Sequence, residues 1–532
     1  MLPHQNLPAA TDAAALRVRG KQLRTACSRS SHAELNLPLG RDALGIIDAT
    51  HVGRVPELIG TRTYRMSQSA FAYYRATADV MTADLAAGPR TDIRLVVCGD
   101  AHISNFGLYA SPERRLLFDL NDFDEAAEGP WEWDIKRMCV SIVLVLREKG
   151  CSERVQARAV RHAVLSYQKA LAELVEQSVL ARYYASVDAA WLLKATQDAH
   201  LARSMKKARR NTSQRVLEKI TTCRDGQGLA IADNPPLLMH DRSLQPDELV
   251  QMFDHYLATL AADRALLMSQ YRVLDIARRV VGVGSVGTRC GIALLQDPGG
   301  HALFMQYKQA NSSVIVRWGG LGDTPGAIGM GDSGPLCDVP AAAADAAPGA
   351  VASASATGGQ ASRGRTRQPR SPSMAASTGT TARAGARSRR GQRAAPEALR
   401  HDGHNGRRVV ARQQVLQAVS DPLLGWNTGA DDGHDYYWRQ FRDMKGSIDL
   451  PFLSPGQVEQ YGSLCARLLA RAHAQSPTAT AVAGYLGRSS RFAEAVATWS
   501  LAYADVVEQD FLHFLEALSG GRYPFTPEEE TR

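Results

Sequence analysis

Residues 318–400 constrain the fold more than any other stretch of this chain. They are Ala, Gly, Ser, Pro, Thr and Arg, with almost no large apolar side chains. Such a segment cannot offset its own ordering entropy by burial and is expected to be disordered. Apolar periodicity runs up to it and resumes beyond it. The insertion therefore splits a domain and does not separate two, so the domain must be assembled from both sides of it.

The insertion also holds most of the charge. The 532-residue chain carries a net +8, and residues 318–400 hold ten Arg, no Lys, four Asp and one Glu, which is 10 − 5 = +5. The remainder is only +3, too little for the basic face of a nucleic-acid-binding domain, so no nucleic acid partner is expected. No window reaches the ~18 to 20 apolar residues of a membrane span, and "MLPHQNLPAATDAAALRVRGKQLR" lacks a signal-peptide core. Eight Cys without a C-x-x-C pair argue against structural zinc or a disulfide framework and fit a reducing cytoplasm.

Residues 1–45 read as a loosely attached arm. "SAFAYYRATADVMTADLAA" places Phe71, Tyr74, Ala78 and Met81 at helical spacing. A helix "DIKRMCVSIVLVLREKG" is ended by Gly150. Residues 153–224 read as long helices with basic faces, and 245–270 as helical again. Within them "SMKKARR" (204–210) is a charge run, either a solvated helix face or a site for phosphate or an acidic substrate. From 277 the pattern becomes strand, glycine turn, strand, Asp-Pro-Gly-Gly turn, strand. After the insertion come a helix at 407–420, strands around 423–448, and helices at 455–475 and 488–518.

Chemistry concentrates in "VVCGDAHISNFGLYASPERRLLFDLNDFDE" (96–125). Asp100 and Asn105 lie on a loop after one apolar strand; Asp119, Asn121, Asp122 and Asp124 follow another. Phosphoryl transfer uses such a set: a carboxylate that orients the nucleophile, with an Asn and an Asp holding Mg²⁺ on ATP phosphates. Turn-forming and capping are the structural alternative, strongest for Asp119 and Asp124. Asp134, in "GPWEWDIKR", opens a helix. "GVGSVG" (282–287) is followed by a strand and not by a helix, which argues against a dinucleotide site. Gly282, Gly284 and Gly287 between two strands, with Lys308 on a third, match the nucleotide-covering hairpin of kinases.

The segment around Asp100 resembles that of aminoglycoside and choline kinases, whose loop runs H-G-D-x-H-x-x-N. More of the chain resembles the bacterial domain-of-unknown-function 2252 family, through "CGDAHISNFG", "FDLNDFDEAAEGPWEWDIKR", "VVGVGSVGTRC", "RQFRDMKGS", "LLARAHA" and "AGYLG", over about 50–317 and 401–515. The kinase resemblance implies an α+β, two-lobe, protein-kinase-like fold. Its parts are out of the usual order, because the catalytic and metal loops (100–124) precede the glycine loop and Lys308, so the expected fold is circularly permuted. The implied division is a large catalytic lobe at 46–270, a small antiparallel β lobe at 271–317 and 401–450, and helices at 451–520 returning to the large lobe. Helix 456–474 would occupy the place of the helix that leads into the catalytic loop.

The implied activity is phosphoryl transfer from ATP with Mg²⁺ to an unknown acceptor, small molecule or protein. Asp100 would orient the nucleophile, Asn105, Asp122 and Asp124 would hold metal, Lys308 would contact phosphates, and Asp134 would brace the catalytic loop. Lys308 should face Asp122 at roughly 5 to 10 Å across a shared phosphate site. Where family members carry Glu, this chain has Ala411, and helix 407–420 contains no acid, so Lys308 lacks an obvious partner. A nucleotide-binding pseudokinase, a nucleotidyl (AMP) transferase and a metal-dependent hydrolase are the alternatives.

Overall fold

The computed structural model describes residues 12–196, 199–224, 228–235, 238–240, 246–280, 284, 286–320, 403–429 and 433–527. Gly282 and residues 321–402 lie outside them.

The apolar run at Leu95 forms β1 (Arg94–Val97), whose antiparallel partner is β4 (Ala127–Pro130). Between them β2 (Phe106–Ala110) and β3 (Leu116–Leu120) pair in the register Phe106↔Leu120 and Gly107↔Asp119. Both are buried along their whole length. Apolar burial fixes the strands, and the acids that follow them emerge together at one end. α1 (Trp131–Glu148) runs next, buried over nearly all of its residues, and α2 (Glu153–Val175) packs on it.

Two shorter helices follow, α3 (Ala199–Arg209) and α4 (Ser213–Ile220), then α5 (Pro246–Leu257). β5 (Leu238–Met239), β6 (Arg272–Arg279), β7 (Cys290–Gln296) and β8 (Ala302–Gln309) lead to α6 (Val314–Trp318). Chain described again from 403 gives α7 (Asn405–Leu416), β9 (Gly425–Thr428), β10 (Asp435–Gln440) and β11 (Gly446–Ser447). α8 (Pro455–His473) starts with Pro at its first turn and a Ser454–Gln457 capping box, and α9 (Arg491–Ser519) is the longest helix described.

The fold is α+β. Its largest sheet is six-stranded and antiparallel, in the order β9-β10-β8-β7-β6-β5. β8 and β10, on either side of residues 321–402, are direct neighbours, so one sheet needs chain from both sides. One face packs Met305, Tyr307 and Trp438 against Phe253 and Tyr256 of α5. The other packs Ile292, Leu294 and Phe304 against Val216 of α4. Strand alternation puts Lys308 on the Phe304 face, at the strand's far end. The main core lies elsewhere, among α1, α2, α8, α9 and the strands β1 to β4.

Three local readings are corrected. The periodic stretch 70–86 is two helices, Ala70–Ala76 and Ala78–Ala86, because Thr77 leaves helical geometry (φ −119°, ψ 42°). Residues 12–45 are not loosely attached. Helix Ala13–Gln22 lies so close to Ala479–Leu486 that a Cβ on Gly20 would fall 2.0 Å from the Ala481 carbonyl oxygen. Arg24 also donates to the Tyr485 and Gly484 carbonyls, and His32 is fully buried. Finally, Trp318 closes α6 and donates to Asp79 at 2.8 Å, so the compositional boundary at 318 falls inside ordered structure. Among the described residues no helix is long and apolar enough to cross a membrane.

Candidate active site

The loop after β1 turns at Gly99, whose φ of +77° and 2.2 Å clearance to the Glu125 carbonyl oxygen admit only glycine. Asp134, in the first turn of α1, braces it. Its carboxylate accepts from the backbone N–H of Cys98 (2.7 Å) and of Gly99 (2.9 Å). His473, at the end of α8, reaches the same carboxylate at 3.2 Å, and its other ring nitrogen meets the Tyr167 hydroxyl at 2.8 Å. Position in the first helical turn also favours the negative charge. Tyr461 of α8 donates to the Ile103 carbonyl at 3.0 Å, so α8 also meets the far part of the loop.

Asp100 leaves this loop toward a cleft and meets the Arg137 guanidinium at 2.8 Å. Burial raises its pKa, but His102, Arg137 and Arg75 outweigh burial and hold it below the usual carboxylate range. His102, 3.5 Å away, is itself pushed down to about 3, chiefly by burial. It is neutral near pH 7, which leaves Arg137 and Arg75 as the standing counter-charges.

Asn105 ties the two acidic loops together. Its amide nitrogen donates to the Asp100 carbonyl (2.9 Å) and the Asp122 carbonyl (3.0 Å). Those two bonds fix the amide's orientation and aim Oδ1 away from them. Asn105 Oδ1, Asn121 Oδ1 and Asp122 Oδ1 are all buried with no hydrogen-bond donor, the last facing only the Lys308 ammonium at 3.6 Å. All three residues line one cleft. Buried acceptors without donors are costly, and hard oxygens are what Mg²⁺ prefers. Among the described residues no three His, Cys, Asp or Glu side chains could hold a metal by themselves. Mg²⁺ does not require that, since it commonly takes one or two carboxylates and completes its shell with phosphates and waters. Asn105 and Asp122 fit that pattern.

Lys308 enters the cleft from β8, 3.6 Å from Asp122 Oδ1 and closer than the 5 to 10 Å expected. It also pairs with Asp124 Oδ2. Burial lowers the Lys308 pKa, yet Asp122, Asp124 and Tyr437 more than reverse that and keep it charged. Two expectations change here. Lys308 has an acidic partner, supplied by the loop after β3 and not by a helix. Asp124, expected as a metal ligand, has one oxygen on Lys308 and the other on the Tyr437 hydroxyl at 2.6 Å. The helix around Ala411 meets the same loop through arginines. Arg408 donates to the carbonyls of Ala126, Asp124 (2.8 Å) and Asn311 (2.7 Å), and Arg412 pairs with Glu128 at 2.9 Å. Asp119, at the base of β3, caps the Ala418 N–H at 2.8 Å and is structural.

Of the glycine turn, Gly284 lines the cleft, and Gly287 (φ +88°) is clamped by Val55, whose N–H donates to its carbonyl at 2.8 Å. The interior is about 300 Å³. Five further cations line it that were given no role from sequence, Arg54, Arg75, Arg317, Arg439 and Lys445, although Arg439 and Lys445 fall within "RQFRDMKGS". Arg439 was detectable, since it opens "RQFRDMKGS"; in the fold β8 and β10 pair Lys308↔Tyr437 and Gln306↔Arg439, which sets it two residues along the same strand pair. Burial, and then Arg439, push the Lys445 amine down to about 7. The cleft thus combines fixed cations with orphaned oxygens, an arrangement complementary to a polyanion accompanied by a metal ion.

The chain belongs to the family described as uncharacterized protein conserved in bacteria (DUF2252), whose model matches residues 54–320 and 381–517. Neither the curated proteins nor the solved structures contain a match to it.

Proposed function

We propose that this cleft binds a nucleoside triphosphate with Mg²⁺ and transfers a phosphoryl group to an acceptor hydroxyl, on a circularly permuted kinase-like scaffold. One observation carries the reading. Lys308, 184 residues from Asp124 in sequence, lies buried against Asp124 and Asp122 in the cleft that also holds the orphaned Asn105 oxygen. Kinases assemble their phosphate site from these residue types. Asn105 and Asp122 would hold the metal, which neutralises phosphate charge when bound. Lys308 would exchange Asp124 for phosphate oxygens, with Arg439 beside it, beneath the turn that carries Gly284. Asp100, held low by its surroundings, orients the acceptor hydroxyl and is a poor proton store until the P–O bond to the acceptor has largely formed. α8 supports the loop from the C-terminal side, which is what a permuted chain order requires.

The closed Lys308–Asp124 pair favours a second reading, a nucleotide-binding pseudokinase in which the pair never opens. Thermal shift with ATP, with and without Mg²⁺, separates these from a protein that binds no nucleotide. At ligand ~100-fold above Kd the stabilisation is ~2.7 kcal/mol. Asp122→Asn should remove the Mg²⁺-dependent part of the shift. Absence of any shift at millimolar nucleotide would end both readings. ATP labelled at the γ or the α position then tells phosphoryl from nucleotidyl transfer, and label remaining wholly in ATP leaves the pseudokinase.

A further inference from the structure

Lys445 lines the cleft, and it also lines a separate groove of about 570 Å³. The groove is walled by Lys206, Lys207 and Arg210 from α3 and the turn after it, by Arg215 and Lys219 from α4, and by Arg442. With Arg203 and Lys445, eight basic side chains line it and no carboxylate does. Among the described residues none of the eight is ion-paired with an acid. Positions 203, 206, 207 and 210 are spaced three and four apart, so α3 stacks like charges on one face, which disfavours the helix. An ordinary solvated helix face would intersperse acids.

The groove is built, not incidental. Arg442 and Met444 both adopt left-handed backbone (φ 51° and 50°), a conformation side chains other than glycine resist. Asn211, at the α3–α4 corner, holds them there. Its carbonyl accepts from the Met444 N–H at 2.8 Å, and its side-chain amide donates to the Lys445 carbonyl at 2.6 Å. That strained turn is what delivers Arg442 to the groove and Lys445 to its junction with the cleft.

We infer that the groove is the acceptor site of the transferase proposed above, and that the acceptor is a small molecule bearing several phosphate groups. The inference rests on that transferase reading. Seven cations without acidic partners, with the Lys445 amine beside them, match clustered phosphates, and arginines bind them as forks. The volume is that of a small-molecule site. No aromatic side chain lines it, so it lacks the stacking surface single-stranded nucleic acid uses. With its phosphates in the groove, the acceptor presents a hydroxyl past Lys445 to the cleft. The hydroxyl oxygen bonds to the γ-phosphorus as the bond to the bridging oxygen breaks. The nucleoside diphosphate leaves with that electron pair, and the hydroxyl proton passes by way of Asp100 to solvent.

Titration calorimetry of the full chain with inositol hexakisphosphate tests this, run beside the Mg²⁺·ATP thermal shift. Binding should weaken as salt rises, and Lys206→Ala/Lys207→Ala/Arg210→Ala should weaken it at least ~10-fold with a shallower salt slope. That variant should keep the Mg²⁺·ATP shift, which also certifies its fold. Asp122→Asn should show the reverse, losing the metal-dependent shift and keeping hexakisphosphate binding. Unchanged hexakisphosphate affinity in the triple variant would overturn the groove. A single-stranded oligonucleotide displacing hexakisphosphate at lower concentration than inorganic tripolyphosphate would overturn the small-molecule assignment. If hexakisphosphate binds in the groove but wild type shows no nucleotide shift, the acceptor role falls with the transferase reading.

Discussion

Replacing Asp124 with Asn should be among the most destabilising single changes at the cleft. The Lys308 side chain is 4% exposed and that of Asp124 23%. Removing one partner of a buried ion pair costs ~3–5 kcal/mol, because the other charge is left without compensation. Here the lower end applies. Asp122 Oδ1 stays 3.6 Å from the ammonium, and Asp124 is partly open to water. The expected loss is therefore ~3 kcal/mol. Lys308→Met should cost a similar amount, since it leaves Asp122 and Asp124 facing each other without a cation. The double variant should cost less than the sum by ~2 kcal/mol. Urea unfolding followed by tryptophan fluorescence supplies all three values. Additivity within ~0.5 kcal/mol would show that the two side chains do not depend on each other, and Asp124 would then not be what compensates the buried Lys308 charge.

Asp134→Ala removes the acceptor for two buried backbone N–H groups, each worth ~1–3 kcal/mol; unfolding free energy should fall by ~2–6 kcal/mol, and a loss under ~1 would refute its bracing role. Burial pushes the Glu132 carboxyl up to about 7 from an ordinary 4.5. A raised carboxyl pKa gives stability that is present below pH 4.5 and lost as pH climbs through 7. Glu132→Gln should thus match wild type near pH 5 and exceed it by ~1–3 kcal/mol at pH 8.5, and a variant equally destabilised at both pH values would contradict this. Replacing residues 321–400 with a short Gly/Ser linker, sparing Trp318, should move the melting temperature by only a few degrees, since loop length costs ~0.6 kcal/mol per doubling; loss of soluble protein would show that the segment packs.

Asp100, Asn105 and Asp122 were legible because each follows a strand whose apolar run is unmistakable. Pattern alone placed them on loops at the ends of two apolar strands, which the fold puts in separate sheets. What sequence could not provide was the direction of each oxygen. Asp122 and Asp124 are two positions apart and read alike, yet one keeps an oxygen outside hydrogen-bond range, 3.6 Å from Lys308, and the other is spent on Lys308 and Tyr437. The missing acid near Ala411 suggested an unpaired lysine. The arginines at 408 and 412 in the same helix carried the opposite signal, since a buried guanidinium must find acceptors nearby. β5 is two residues long and offers no periodicity to detect. The contact between Gly20 and Ala481 joins distant chain through backbone, which local pattern does not encode. Arg442 and Lys445 reach their positions through a strained turn that no hydrophobic pattern announces.

The His473–Asp134 contact spans 339 residues. A ribosome adding 5–20 residues per second needs about 20 to 70 s to make the intervening chain. Until then the loop after β1 has its strands and α1 but not α8, which lies beneath it. Nascent chains halted before residue 455 should therefore be cut by protease within 98–105, and chains extended past 473 should be protected there. Assembly of this cleft is in that sense a late event of synthesis, timed by the C-terminal helices, although every candidate metal ligand is translated in the first quarter of the chain.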